Sequence, residues 1–307
     1  MVSYILQRSA QSLIAVIGLL VLVFFLSRLT GDPAYLFLPL DATAEQRQAF
    51  SELHGFDQPL IVQFGYYLAD LARLDFGDSL ARNRPAMEVA LEAFPETLKL
   101  AALAISLAVV LAIAVGALAA ARPGSVFDRV ASTASLAGAS APDFWVAIMA
   151  ILVFAVALGW LPTSGTGTPY HWIMPVAVLT LRPFGLLVQV VRGTMIGALA
   201  SPYVKTAKAK GVNDRTIIFV HALRNSLLPV VTVAGDLAAS LVNGAVVVET
   251  IFGWPGIGKL MIDAIMQRDF AVVQATVLVT AVGIFVLNIL IDLLYAVLDP
   301  RIRHQTT

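Results

Sequence analysis

The 307-residue chain has no cysteine, which excludes disulfides, thiolate metal sites and a cysteine nucleophile while leaving its redox compartment open. Charge is nearly as scarce: Asp, Glu, Lys and Arg make up 13% of the residues, hydrophobic types 59%, and the mean hydropathy is +0.84. A soluble domain has about twice that charge, so this composition belongs to a membrane protein. Twenty Lys and Arg balance twenty Asp and Glu, and nothing in that balance suggests a nucleic-acid surface. The four histidines, His54, His171, His221 and His304, are dispersed, so neither a metal-ligand cluster nor a Ser-His pair presents itself.

Long apolar runs are what the sequence has in abundance. A bilayer core needs roughly 20 apolar helical residues at about 1.5 Å each, and six runs meet that need: Ser9 to Ser27, Leu100 to Ala121, Ala131 to Trp160, Trp172 to Ile196, Leu227 to Val248, and Ala271 to Leu298. The third is too long for one straight span and contains Pro142-Asp143, which predicts a kinked or partly submerged helix. Arg182-Pro183 is expected to interrupt the fourth. The first run exceeds a typical signal-peptide core and lacks a small-x-small cleavage site after it, so it reads as a retained span.

Six spans put both termini on one side. Arg8, Arg122, Arg129, Arg192, Lys205, Lys208, Lys210, Arg215, Arg224, Arg301 and Arg303 fall on one set of segments, whereas the short loops of the other set carry only Lys259 and Arg268. The positive-inside rule makes the first set cytoplasmic, both termini included.

Two motifs mislead. "FGWPGIGKL", residues 252 to 260, has the Gly, four residues, Gly-Lys spacing of a phosphate-binding P-loop, but Leu260 stands where a Mg²⁺-binding hydroxyl belongs. Pro255 removes a backbone N–H from it, and the topology puts the loop outside, away from cytoplasmic ATP. A rigid turn placing Phe252 and Trp254 at the outer interface, as part of a short re-entrant or docking element, is the better reading. Asp236 and Asp292 invite comparison with intramembrane aspartyl proteases, which share two carboxylates at one site. Their contexts, "VAGD" and "LID", lack the Gly-x-Gly-Asp and Tyr-Asp patterns of that family.

The long connection from 199 to 226 is the most informative. Tyr203 to Lys210 has helix formers with interspersed cations, and Gly211 with Asn213-Asp214 marks a break. Asp214 can cap a second helix running towards Asn225, after which Pro229 opens the next span. Charge alone reads this as a loop obeying the positive-inside rule.

"KTAKAKG" and "HALRNSLLP" in that connection carry more than charge: they resemble the EAA loop of binding-protein-dependent ABC importer permeases, in the form of the dipeptide, oligopeptide and nickel branch. Thr206, Ala207, Gly211, His221, Ala222, Leu223, Arg224, Asn225 and Pro229 match that branch. Lys205, in place of the generic acid, and the His221 to Arg224 ending weigh against sugar or amino-acid permeases. "GDP" at 31, "DFGDSL" at 75, "FPETLKL" at 94, "LGWLP" at 158, "GAVVVETIFGWPGIGKL" at 244 and "NILIDLLYAVLDPRIR" at 288 extend the likeness along nearly the whole chain. The long loop after the first span resembles the B-type member of the permease pair.

The resemblance implies an all-α integral membrane protein with six transmembrane helices, the type I ABC importer permease fold and an extracytoplasmic insertion between the first two. Its parts are a first helix in residues 1–29, an extracytoplasmic loop or cap over 30–97, a five-helix core over 98–298 containing the coupling loop 199–226, and a cytoplasmic tail 299–307. In such a protein Lys205, Thr206, Ala207, Ala209, Gly211, His221 and Leu223 form the ATPase-coupling loop. The resemblance also implies that such a chain has no catalytic site, metal or cofactor of its own and that ATP and Mg are held by partners. Those partners are a homologous C-type permease, two cytoplasmic ATPase subunits and an extracytoplasmic solute-binding protein, in a bacterial inner membrane. Phe252, Trp254, Pro255 and Gly256 are docking candidates for the binding protein. Dipeptides, longer peptides, glutathione-like compounds and chelated nickel all remain open as cargo. A proton-coupled secondary transporter using Asp236 or Asp292 is the alternative, without an inverted repeat to support it.

Charges in hydrocarbon cost a few kcal/mol each, so Asp143, Arg182, Asp236 and Asp292 should face the bundle interior or a wet cavity. Asp236, Ser240 and Asn243 share one helix face, as do Asn288, Asp292 and Tyr295. The second trio reads as interhelical glue. Arg182 and Asp236 either pair with each other or line the translocation path with Ser240 and Asn243. The 30–97 segment has eleven acidic residues against four Lys and Arg, and Phe56, Phe64, Tyr66, Tyr67 and Phe76 could pack a small cap.

Overall fold

The computed structural model describes residues 14, 16–25, 38, 42–53, 55–79 and 81–298. Hydrocarbon offers the backbone no hydrogen-bond partner, and the chain answers with helices. They are α1 (Val16–Phe25), α2 (Ala44–Leu53), α3 (Leu60–Ala72), α4 (Ala86–Ala121), α5 (Val126–Ser140), α6 (Asp143–Ala150) with a π-helical continuation Ile151–Ala157, α7 (Tyr170–Leu199), α8 (Pro202–Ala209), α9 (Asp214–Phe252), α10 (Ile257–Met266) and α11 (Phe270–Leu298). Asp78–Ser79 and Arg84–Pro85 form an antiparallel strand pair.

By length and composition α4, α7, α9 and α11 can each cross a bilayer, and α5 with α6, bent by 101°, brings the count to as many as five. The bend is the kink expected in the third run: Pro142 cannot continue the helix, and Ala141 before it is extended, with φ −73° and ψ 132°. Of the first candidate span only Ile14 and α1 are described. The "GDP" motif, both termini and the 299–307 tail lie outside the described residues.

Several boundaries differ from the expectation. The helix that contains the second apolar run begins at Ala86, well before Leu100, so the 30–97 segment ends inside α4, Pro95 included. Arg182-Pro183 does not interrupt α7, which carries Pro175 and Pro183 within 30 residues of continuous helix. Packing against neighbouring helices keeps such a proline-containing membrane helix intact; Thr180 on α7, for one, reaches Ala104 O of α4 at 3.2 Å. Asn213, not Asp214, caps α9, its Oδ1 accepting from the Arg215 N–H at 3.0 Å, and Pro229 lies inside α9 instead of opening it.

The chain divides into two compact units, residues 1–95 with 259–285 and residues 96–258 with 286–307. In the first, the amphipathic α3 packs aromatics on α1: Phe24 stacks on Tyr67 at 4.9 Å and meets Phe64 at 5.4 Å. Tyr66 is exposed, and Phe56 pairs with Phe50. Ser79 Oγ donates to Asp269 at 2.5 Å, and Asp269 also accepts from the Val272 N–H, capping α11.

In the second unit Ala108, Ala112, Ala117 and Ala120 of α4 meet Leu187, Val188, Val191 and Met195 of α7 and Ala222 and Val230 of α9. Small residues let membrane helices approach closely. Gly116 shows how closely: a Cβ there would sit 2.7 Å from Val191 Cβ.

The P-loop look-alike is a clamp built around a buried carboxylate. Glu249, wholly buried in the last turn of α9, accepts from the Thr97 hydroxyl at 2.5 Å and from the Gly258 N–H at 2.9 Å, while Thr97 Oγ1 accepts from the Ile257 N–H. Gly253 ends α9 at φ +62°, and the Trp254 N–H returns to Glu249 O. The glycines of "GWPGIGK" therefore make room for a carboxylate instead of a phosphate: a Cβ at Gly256 would lie 2.1 Å from Glu249 Oε1, and one at Gly258 would lie 2.7 Å from Val246 Cα. Leaving a buried donor without its acceptor costs roughly 1–3 kcal/mol. Glu249→Ala and Gly258→Ala are expected to lower the thermal midpoint of the detergent-purified protein by several degrees. Glu249→Gln, which keeps one acceptor, should fall between them and wild type; equal midpoints for all three would contradict the clamp.

Candidate functional site

Residues 199–226 fold as an elbow. Pro202 takes the first helical position of α8, where its missing N–H is not needed, after Ser201 in extended conformation. The helix ends at Lys210, and Gly211 turns the chain at φ +76°, a conformation that a side chain resists. The Gly211 N–H donates to Lys208 O and the Val212 N–H to Ala207 O, the paired bonds of a Schellman ending. Asn213 then starts α9, whose first turns widen into a π-helix at Ile217–Ala222.

Three side chains anchor the elbow: Val204, Ile217 and Ala222 are buried. Lys205, Thr206, Lys208, Ala209, Lys210, Gly211 and His221 are exposed, and Ala207 and Leu223 half-buried. Beside the cations lie uncovered apolar groups, with Tyr203, Phe219 and Val220 40%, 47% and 54% exposed. A rigid turn presenting cations and uncovered apolar side chains has the makings of a protein-binding surface.

α7, which leads into the elbow, is braced against α5 by polar contacts. The Arg192 guanidinium holds both oxygens of Asp128, which also accepts from the Gly124 N–H, and Gln189 donates to Ser135 Oγ at 2.6 Å. At Gly185 the helices come so near that a Cβ would meet Ser135 O at 2.2 Å. The positive-inside count treats Arg192 as one cation among many; its pairing with Asp128 becomes visible only when α5 and α7 are side by side.

The candidate path residues all lie on surfaces that this chain leaves uncovered. Asp236, Ser240 and Asn243 are exposed along one face of α9, with open space beside Gly244. Arg182 is exposed on α7, and no ion pair joins it to Asp236 among the described residues. Asp143, half-buried at the start of α6, lies within electrostatic reach of Arg182, with no hydrogen bond or ion pair between them among the described residues. Asn288 is half-buried, and the side chains of Asp292 and Tyr295 lie outside the described residues. The expectation that Phe252 and Trp254 sit at the membrane interface is corrected: they are 2% and 1% exposed. Gly256 is also buried, and only Pro255 of the four docking candidates is exposed. The Glu249 clamp draws this turn inward. Glu249 itself could have been noticed as the charge that ends the fifth apolar run at Val248.

Residues 112–304 match the family model described as "Binding-protein-dependent transport system inner membrane component". The oligopeptide transport system permease protein AppB of Bacillus subtilis (strain 168) is 36% identical over 316 residues, covering 99% of this chain and 100% of that protein. The di/tripeptide transport system permease protein DppB of Pseudomonas aeruginosa (strain UCBPP-PA14) is 38% identical over 336 residues, and the glutathione transport system permease protein GsiC of Salmonella choleraesuis (strain SC-B67) 36% over 306, each with the same coverage. Among solved structures, an inward-facing form of the MetNI methionine ABC transporter superposes with a TM-score of 0.59 at 16% identity, covering 69% of this chain and 97% of that one, which shows the shared fold. The chain belongs to the family of binding-protein-dependent transport system inner membrane components.

Proposed function

We propose that the chain is the permease subunit of an ATP-driven importer that moves peptides or closely related small solutes into the cytoplasm. It works beside a homologous C-type permease, two cytoplasmic ATPase subunits that bind ATP and Mg, and an extracytoplasmic binding protein. Both termini are cytoplasmic in this reading, as the distribution of Lys and Arg supports. The peptide class rests on the names of relatives that match end to end.

The observation that carries the reading is the elbow at Gly211. α9 has 39 residues, roughly 58 Å of helix against a hydrocarbon core of about 30 Å, so a straight span leaves several turns outside the bilayer. Those turns carry the elbow at one end of a rod whose other end is held by Glu249. A partner that moves α8 thus has a stiff element with which to act on the spans. On the exposed stripe of Asp236, Ser240 and Asn243, the Ser240 hydroxyl is met by Leu237 O, while Asp236 and Asn243 need a second protein surface or a wet path, since lipid solvates neither. A paired permease provides both.

In proteoliposomes containing the assembled transporter, Gly211→Trp is expected to cut ATP-driven uptake at least tenfold per ATP hydrolysed while the subunit still inserts and assembles. Uptake at the wild-type rate would count against the coupling role. Arg182→Glu is expected to reduce the yield of assembled complex, with recovery in the Arg182→Glu, Asp143→Arg double variant; recovery with Asp236→Arg instead would place the partner of Arg182 on α9.

A further inference from the structure

Next to the clamp the second unit has an open cleft of about 580 Å³, walled by Trp172 and Trp254 and rimmed by Thr166, Thr168 and Pro255. Glu96 is the only charged residue lining it among the described residues. The two indoles meet edge to face at 4.4 Å. Trp254, 1% exposed, donates its Nε1–H to Glu96 O at 3.2 Å and backs Trp172, which is half-buried and so is the indole with surface left to offer. Glu96 precedes Thr97, whose hydroxyl is held by Glu249, so the floor is fixed before anything binds.

We propose that this cleft is a receptor for a Lys or Arg side chain projecting from the extracytoplasmic binding protein. The chemistry selects a cation. A carboxylate beside the Trp172 indole gathers charge-assisted hydrogen bonds and cation–π attraction in one place. Among the described residues the Glu96 carboxylate is held by Lys99 alone, through Oε1 at 2.7 Å in an exposed pair, a contact of small net worth that an incoming cation can share, and Oε2 has no partner. The first turn of α7 also borders the cleft, but its His171 and Trp172 N–H groups already donate to Thr168 O and Pro169 O, which removes the usual attraction of a helix start for anions. The form selects a protein protrusion over a swallowed solute: the rim residues Thr166, Thr168 and Pro255 are exposed, and a cleft this open cannot enclose most of a small ligand's surface.

The inference rests on the importer reading and deepens it by naming the contact. The test uses the assembled transporter in nanodiscs and its binding protein, with affinity measured by surface plasmon resonance over a range of salt. Glu96→Lys is expected to weaken binding-protein association at least tenfold and to flatten its salt dependence. Glu96→Gln and Trp172→Leu should weaken it less. One Lys→Glu or Arg→Glu change in the binding protein should restore affinity to the Glu96→Lys transporter alone. Unchanged affinity in all three variants overturns the proposal, as does a defect confined to import of peptides with a free amino terminus and absent for acetylated ones, which would put the peptide's own ammonium in the cleft. Co-elution of each variant with the ATPase subunits controls for folding. A wild-type transporter whose uptake needs no binding protein would instead sink the importer reading itself.

Discussion

A polar group withdrawn from water into a bundle of membrane helices must find its hydrogen bonds within protein or beside a trapped aqueous path, because lipid tails supply none. The polar residues of this chain divide according to how they meet that demand. Glu249 is satisfied by Thr97 and Gly258, and Asp128 by Arg192 and Gly124, with every partner supplied by the chain itself. Arg182, Asp236, Ser240 and Asn243 lie uncovered. The first group fixes the fold. The second marks faces that the chain alone does not complete, and such faces belong on a subunit that works in an assembly.

The clamp and the elbow lie at opposite ends of one helix. At the Gly253 end, α9 is tied through a carboxylate that tolerates no side chain at Gly256; at the Asn213 end it is tied through a capped turn whose glycine holds φ +76°. Towards the elbow end, Ala222 and Val230 of α9 pack into one core with α4 and α7. A push at the elbow is then carried by the rod, which suits the coupling of a soluble engine to a membrane path.

Much of the fold could be read from the residues. Five of the six apolar runs fall on the four long apolar helices and the bent pair, and Pro142 announced the bend between α5 and α6, while much of the first run lies outside the described residues. Span ends were harder, since helices here run past the hydrocarbon: α4 begins at Ala86 and α9 at Asp214, where charged residues are as acceptable as apolar ones. Prolines 183 and 229 misled for a related reason, as packed neighbours keep helices intact that an isolated peptide would break. The elbow was legible from Gly211 and its flanking cations. The clamp was not, because Thr97 and Glu249 stand 152 positions apart and neither looks unusual alone. Trp254 illustrates the same limit: an aromatic beside Gly and Pro suggests an interface, and only the carboxylate beneath it explains why the ring is buried.

The central claim is that the elbow meets an ATP-hydrolysing partner and moves with it. Ala209 is exposed at the end of α8 and, in a chain without cysteine, offers a unique site once changed to Cys. In vesicles active in ATP-driven uptake, a short bifunctional thiol crosslinker at Ala209→Cys should join this chain to an ATPase subunit carrying a single surface cysteine, in a yield that changes when a non-hydrolysable ATP analogue is added. Capture of no ATPase subunit from any surface cysteine tried, in vesicles shown to transport, would contradict it.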